Sequence, residues 1–192
     1  MLLKNLKTNF LGKNAIYYKQ IDSTQNQIWK LLKNKNTPNG TIVIADIQTN
    51  GVGTHNRIWY TDEENNIACS FFIKMDINIK KIEGITIKIA QIVLDIFKNL
   101  YNIELQIKEP NDIVYNGRKL GGILMQTKVI KENVKYLVVG IGINTEKQNF
   151  NIEIKDIATS IKKEFGVYVD TKKFITQLCN EFEKEILKRM ES

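Results

Sequence analysis

Between Glu104 and Asn144 four strand-like segments follow one another with only a few residues between them: ELQIK (104–108), DIVYN (112–116), KLGGILMQTKVI (119–130) and YLVVGIGIN (136–144). Parallel neighbours need a crossover of a dozen or more residues, whereas antiparallel strands can be joined by a tight turn. The gaps here are too short for crossovers, so this run points to antiparallel pairing. Asn116-Gly117 is the usual signal of a two-residue hairpin turn. Two of the strands are also thinned by glycine, at Gly121-Gly122 and at Gly140 and Gly142. Glycine inside a strand weakens it and often marks the close approach of a ligand or another backbone.

The rest of the chain supplies helices to cover such a sheet. NAIYYKQI (14–21) reads as a first strand and DSTQNQIWKLLKN (22–34) as a helix with Ile28, Leu31 and Leu32 on one face. TIVIADIQ (41–48) is a second strand, residues 49–66 a long polar loop, and IACSFFIKM (67–75) a third strand. Apolar residues at helical spacing predict a helix over 83–101, with Ile85, Ile89, Ile92, Val93, Ile96, Phe97 and Leu100 on its inner face. A short helix is expected over 157–165, stopped by Gly166. A last one is opened by Asp170, where Phe174, Leu178, Phe182 and Ile186 form a stripe. Strands clustered around short turns, without regular βαβ alternation, predict one α+β domain with a mixed, largely antiparallel sheet and packed helices.

Composition removes several function classes. The 192 residues suffice for one domain with a real core. No apolar run is long enough to span a membrane. The two cysteines, Cys69 and Cys179, make neither a disulfide framework nor a metal-binding pair, and a reducing cytoplasm fits them best. His55 is the only histidine, so an all-protein transition-metal site is not expected. A net charge of +7 raises the alternative of a basic nucleic-acid-binding module. Only Arg57, Arg118 and Arg189 among the 28 basic residues are arginines, and the lysines are scattered, so DNA is not the expected partner.

Four short stretches carry candidate chemistry. At Asp22-Ser23-Thr24-Gln25 a strand meets a helix, and Thr24 with Gln27 satisfies the capping-box spacing. The same hydroxyls and amides could grip a polar ligand head. Gly51 and Gly53 in QTNGVGTHNRIW (48–59) leave backbone N–H groups free to wrap an anion. No GK[ST] follows, so this is not a P-loop. In EPNDIVYNGRKLGGIL (109–124) turn chemistry accounts for Pro110, Asn111 and Asp112. It does not account for Lys119 beside two glycines, where an ammonium can hold a carboxylate or phosphate as a point charge. VVGIGIN (138–144) offers a second bare strand ending in Asn144; two such strands side by side would form a slot for a flat or slender ligand.

Taken in order, DST, Q-x-x-G-x-G…W, PND, RKLGGIL, VGIGIN and IATSI resemble the catalytic domain of a biotin protein ligase (biotin–[acetyl-CoA-carboxylase] ligase) over about residues 15–165. That resemblance implies a biotin/lipoate ligase-like domain that joins biotin to ATP with Mg²⁺. The biotinyl-5′-adenylate then gives its biotin to one lysine of a biotin carboxyl carrier domain. It implies catalytic roles for Lys119 and Asp112, and biotin contacts from Ser23, Thr24, Gln25, Gln48, Val52, Gly53, Thr54, Lys119, Gly121 and Gly122. Gly51, Arg57, Trp59, Lys108, Asn111 and Asn144 would serve the nucleotide.

The chain departs from the family's usual pattern at several points. Val52 and Thr54 replace arginines of the usual G-R-G-R-x-G-R-x-W loop, and Asn56 replaces a glycine. Gln25 stands for an asparagine, and Glu109 for a tryptophan. An N-terminal winged helix is not expected, and the small C-terminal barrel of the family is expected to be missing. The oligomeric state stays open, a homodimer included. The nearest rival is a lipoate or octanoate ligase or transferase of the same fold, whose arginine- and glycine-rich loop with a histidine–aspartate pair THNRIW does not match.

Overall fold

The computed structural model describes residues 3–61 and 66–191. Among these, eight strands form one sheet: β1 (Ala15–Ile21), β2 (Ile42–Val52), β3 (Ile58–Thr61), β4 (Ile67–Asn78), β5 (Gln106–Lys108), β6 (Asp112–Tyr115), β7 (Arg118–Ile130) and β8 (Asn133–Ile143). Four α-helices accompany them: α1 (Thr24–Leu31), α2 (Ile85–Tyr101), α3 (Ile161–Phe165) and α4 (Thr171–Glu191). The order across the sheet is β1-β2-β4-β8-β7-β6-β5, with β3 paired to the far half of β2. Every pair is antiparallel except β1–β2, which α1 joins as a single crossover unit. The expected α+β architecture is the one observed.

Alternation along the strands divides the sheet into two faces. Phe71, Ile73, Leu137, Val139, Ile141 and Ile123 point to the side covered by α2 and α4 and form the main core. Phe71 meets Phe182 of α4 with ring centroids 5.1 Å apart, and Phe97 of α2 meets Phe174 at 4.8 Å. The opposite face carries a smaller cluster of Ile28, Val43, Phe72 and Val138 beneath α1. Beyond that cluster the glycines of β7 and β8 leave the sheet bare. Burial pushes the Cys69 thiol up to about 12 and raises that of Cys179 as well. The segment before β1 is anchored on α4, where the buried Glu183 carboxylate accepts the backbone N–H groups of Asn9, Phe10 and Leu11.

Most sequence expectations hold, with three differences. The polar stretch expected to be a loop holds the end of β2 and all of β3; residues 62–65 of it lie outside the described residues. A strand as short as β3 carries no periodicity of its own and exists through its pairing with β2. The cap of α1 is Ser23, which accepts from Asn26 N at 3.4 Å, rather than Thr24, whose hydroxyl is engaged elsewhere. Helix α3 starts at Ile161 instead of 157, because Ile157 and Thr159 bond to the backbone of Lys119. The parallel pair β1–β2, made by one helix-length connection, is what renders the sheet mixed, as expected. At the β6–β7 hairpin the two turn residues adopt φ 47 at Asn116 and φ 76 at Gly117, as the Asn-Gly signal requires.

Candidate active site

The two glycine-thinned strands lie side by side, with Gly122 opposite Gly142 and Leu124 opposite Gly140. Gly122, Gly140 and Gly142 share the bare face. A Cβ on Gly142 would fall 2.4 Å from Trp59 Cε2, so the indole of β3 lies directly over this glycine. Gly121 belongs to the other face: a Cβ there would stand 3.0 Å from Gly142 O and 3.2 Å from an Ile143 side-chain carbon. The structure therefore corrects the sequence reading for Gly121. Its missing side chain makes room for sheet packing, and of the two neighbours only Gly122 borders the slot.

A cavity opens over this bare face. Its lining includes Thr24, Gln25, Gln48, Val52, Gly53, Thr54, Asn111, Lys119 and Gly122, nine residues that the sequence had singled out. Its polar end is a chain of hydrogen bonds. Thr24 N and Thr24 Oγ1 donate to Gln48 Oε1 at 2.8 and 3.0 Å, and Gln48 Nε2 donates to Thr61 Oγ1 at 3.1 Å. Thr24 Oγ1 also bonds Ser70 Oγ at 2.9 Å. Asn111 is clamped to β7, its Nδ2 donating to Ile123 O at 3.0 Å. Gly51 lies at the cavity's edge, where a Cβ would fall 2.3 Å from Trp59 O; no other residue fits that approach of β2 to β3.

A second, more apolar cavity lies on the other side of Trp59. Arg57, Trp59, Lys119, Asn144, Lys147, Phe150, Ile154, Ile157 and Ala158 border it. Its wall after β8 is ordered by Asn66, whose Oδ1 accepts the consecutive amides of Thr145, Glu146 and Lys147. Asn144 Nδ2 donates to Thr159 O at 3.1 Å. The ammonium groups of Lys147 and Lys163 both lie over the Phe150 ring, at 5.6 and 5.7 Å. Arg57 folds back on its own loop, Nη2 donating to Thr54 Oγ1 at 3.2 Å.

Lys119 and Trp59 border both cavities, so the ammonium stands at their junction. Lys119 Nζ lies 5.6 Å from the centre of the Trp59 ring and pairs with Asp112 Oδ1 at 2.7 Å. The lysine backbone is held on both sides, by Val114 of β6 and by the bonds to Ile157 and Thr159. A cation so fixed can serve a negative group arriving from either cavity.

Five residues assigned by sequence line neither cavity: Gly51 and Gly121, placed above, Asp112, which reaches the site through its pair with Lys119, and Ser23 and Lys108. Ser23 is buried as the cap of α1, and Lys108 is exposed on edge strand β5. Residues missed were Ser70, Phe150, Lys147 and Ile154. Ser70 had a legible signal, a single hydroxyl in an otherwise apolar strand; the others lie in a polar stretch without periodicity. Among the described residues no group of three His, Cys, Asp or Glu side chains could hold a metal ion.

Sequence and fold are both shared with known proteins. Residues 17–144 match the Biotin/lipoate A/B protein ligase family, and the chain belongs to it. The chain is similar to the bifunctional ligase/repressor BirA of Bacillus subtilis, at 37% identity over 93% of this chain and 55% of that one. It is similar also to the biotin–protein ligase of Homo sapiens, at 27% identity over 84% of this chain and 23% of that one. Among solved structures, the biotin protein ligase from Aquifex aeolicus in complex with biotin and ATP superposes with a TM-score of 0.75. The identity is 30%, over 94% of this chain and 73% of that one. The chain spans about half the length of the Bacillus relatives.

Proposed function

We propose that this protein activates biotin with ATP to biotinyl-5′-adenylate and passes the biotin to a lysine of a biotin carboxyl carrier domain. The observation that carries the reading is the placement of Lys119 where a polar-ended slot meets a second, apolar chamber. Biotin's ring end takes the slot and the adenosine takes the chamber, so that carboxylate and α-phosphate meet at the ammonium. The similarity to a ligase solved with biotin and ATP supports this division.

A carboxylate is a poor electrophile and must first become an acyl phosphate. A biotin carboxylate oxygen attacks the α-phosphorus, the bond to the bridging oxygen breaks, and pyrophosphate leaves. Negative charge builds on the phosphoryl oxygens, and Lys119 offsets it there. Magnesium enters as the counter-ion of ATP, and no step is assigned to it. Trp59 and the loop of Val52, Gly53 and Thr54 close over the mixed anhydride and keep water away. The acceptor amine then attacks the acyl carbon, AMP leaves, and Asp112 takes the amine's proton. In the free protein Asp112 also neutralises Lys119. This reaction calls for a carboxyl carrier domain as partner, and a cytoplasmic location belongs to the same proposal. No helix among the described residues is long and apolar enough to cross a membrane. Of the three arginines, Arg118 is bound to Glu164 and Arg189 to Glu185, which leaves little for a nucleic-acid role.

Isothermal titration with biotin, lipoate and octanoate tests the reading. Saturable binding of biotin, with biotin-dependent exchange of pyrophosphate into ATP, is the expected result. Preference for lipoate or octanoate would assign the chain to the other branch of its family.

A further inference from the structure

Gln25 is 3% exposed, and its Oε1 is buried without a hydrogen-bond partner. Such an atom costs free energy unless something completes it. Its direction is set by two neighbours. Trp29 Nε1 can only donate, so the Gln126 atom it meets at 2.6 Å is the carbonyl Oε1. The same oxygen accepts Gln25 Nε2 at 3.0 Å. With its nitrogen held there, Gln25 turns Oε1 away toward β8, only 2.7 Å from where a Cβ of Gly140 would stand. Ser70 Oγ is 3.2 Å from that same point. The Thr24 hydroxyl spends its hydrogen on Gln48, so Ser70 donates to Thr24 and keeps its lone pairs for the cavity. The floor above Gly140 thus presents acceptors and asks for a ligand N–H.

We propose that Gln25 selects the acid by accepting a ring N–H, and that Trp29 and Gln126 are positioning residues that hold its carbonyl toward the slot. This inference rests on the biotin reading above. The ureido ring of biotin carries N–H donors; the dithiolane of lipoate and the chain of octanoate carry none. A site built around a hydrogen bond discriminates strongly against an analogue that cannot make it, because its own polar group is left unpaired. The selectivity of the slot is therefore electrostatic as well as steric.

The test is isothermal titration of biotin and lipoate into the wild type, Gln25→Met, Gln126→Leu and Gln126→Glu, with thermal melts to confirm folding. Wild type binds biotin and takes lipoate about a thousandfold more weakly or worse. Gln25→Met keeps length and volume and loses the acceptor; biotin affinity falls about tenfold to a hundredfold while lipoate affinity does not fall. Gln126→Leu releases the Gln25 amide and weakens biotin in the same direction. Gln126→Glu retains an acceptor for both donors and restores the affinity, which a purely packing role would not produce. Should Gln25→Met fail to fold, the Gln126 pair decides alone. Biotin binding within about threefold of wild type in folded Gln25→Met or in Gln126→Leu overturns the proposal and leaves the biotin reading standing. A wild type that binds no biotin, or binds lipoate as tightly, overturns both.

Discussion

Neighbouring glycines on β7 should respond oppositely to the same substitution. Gly121→Ala places a methyl 3.0 Å from Gly142 O and 3.2 Å from Ile143, within the rigid backbone of the β7–β8 pair. Strain of this kind costs about 1–3 kcal/mol, partly offset by about 0.4–1 kcal/mol from the stiffer unfolded chain. The net loss of about 1–2 kcal/mol lowers Tm by about 2–8 °C in a domain of this size. Biotin affinity should change less than threefold, on the order of 0.6 kcal/mol, since the methyl points into the α2–α4 side. Gly122→Ala meets only Lys119 Cε at 3.4 Å, Lys119 Nζ at 3.5 Å and Trp59 Cζ3 at 3.6 Å, all ordinary contacts. It should hold or raise Tm, yet it fills the slot and weakens biotin about tenfold to a hundredfold, the value of one methylene in a fitted pocket. Calorimetric melting and titration of both variants form the assay. If Gly121→Ala weakens biotin without lowering Tm, or Gly122→Ala does the reverse, the assignment of faces is wrong.

Three further outcomes follow from the same geometry. Lys119→Ala removes the cation at the junction, so single-turnover adenylation should fall at least about a hundredfold, the scale of a lost charge-stabilising group, with Tm little changed; a rate within about threefold of wild type would remove its catalytic role. Glu183→Ala leaves the amides of Asn9, Phe10 and Leu11, the last of them buried, without their acceptor and should cost about 2–3 kcal/mol, read as a Tm lowered by about 4–12 °C. At pH 8 neither Cys69 nor Cys179 should react with iodoacetamide until the protein unfolds. The thiols ionise near 8.5 when unfolded, but Cys69 only near 12 when folded. The unfolded state thus binds fewer protons above about 8.5, and stability must decline as pH rises from there toward 12, which melts across that range would read.

The sheet was legible because its signals are local. Short gaps between strands, Asn116-Gly117 and the apolar spacing of α2 and α4 each follow from neighbouring residues. The motif-bearing half of the site was legible for the same reason: Thr24, Gln48, Lys119 and Gly122 converge on one cavity. What escaped depends on contacts between distant segments. Strand β3 exists only because β2 reaches it, and the chamber wall around Phe150 is ordered by Asn66 from far along the chain. The face on which Gly121 lies follows from strand alternation, but two adjacent glycines give no side chain from which to read it. The Gln126 acceptor, set 101 residues from Gln25, has no sequence signal.

The most direct measurement is mass spectrometry of a biotin carboxyl carrier domain incubated with this protein, biotin and MgATP. Biotin ligase activity predicts the mass of one added biotinyl group on a single lysine, dependent on both biotin and ATP. An unmodified carrier, in a reaction where the protein is folded and binds both substrates, would contradict transfer. A carrier modified only when lipoate or octanoate replaces biotin would contradict the choice of acid.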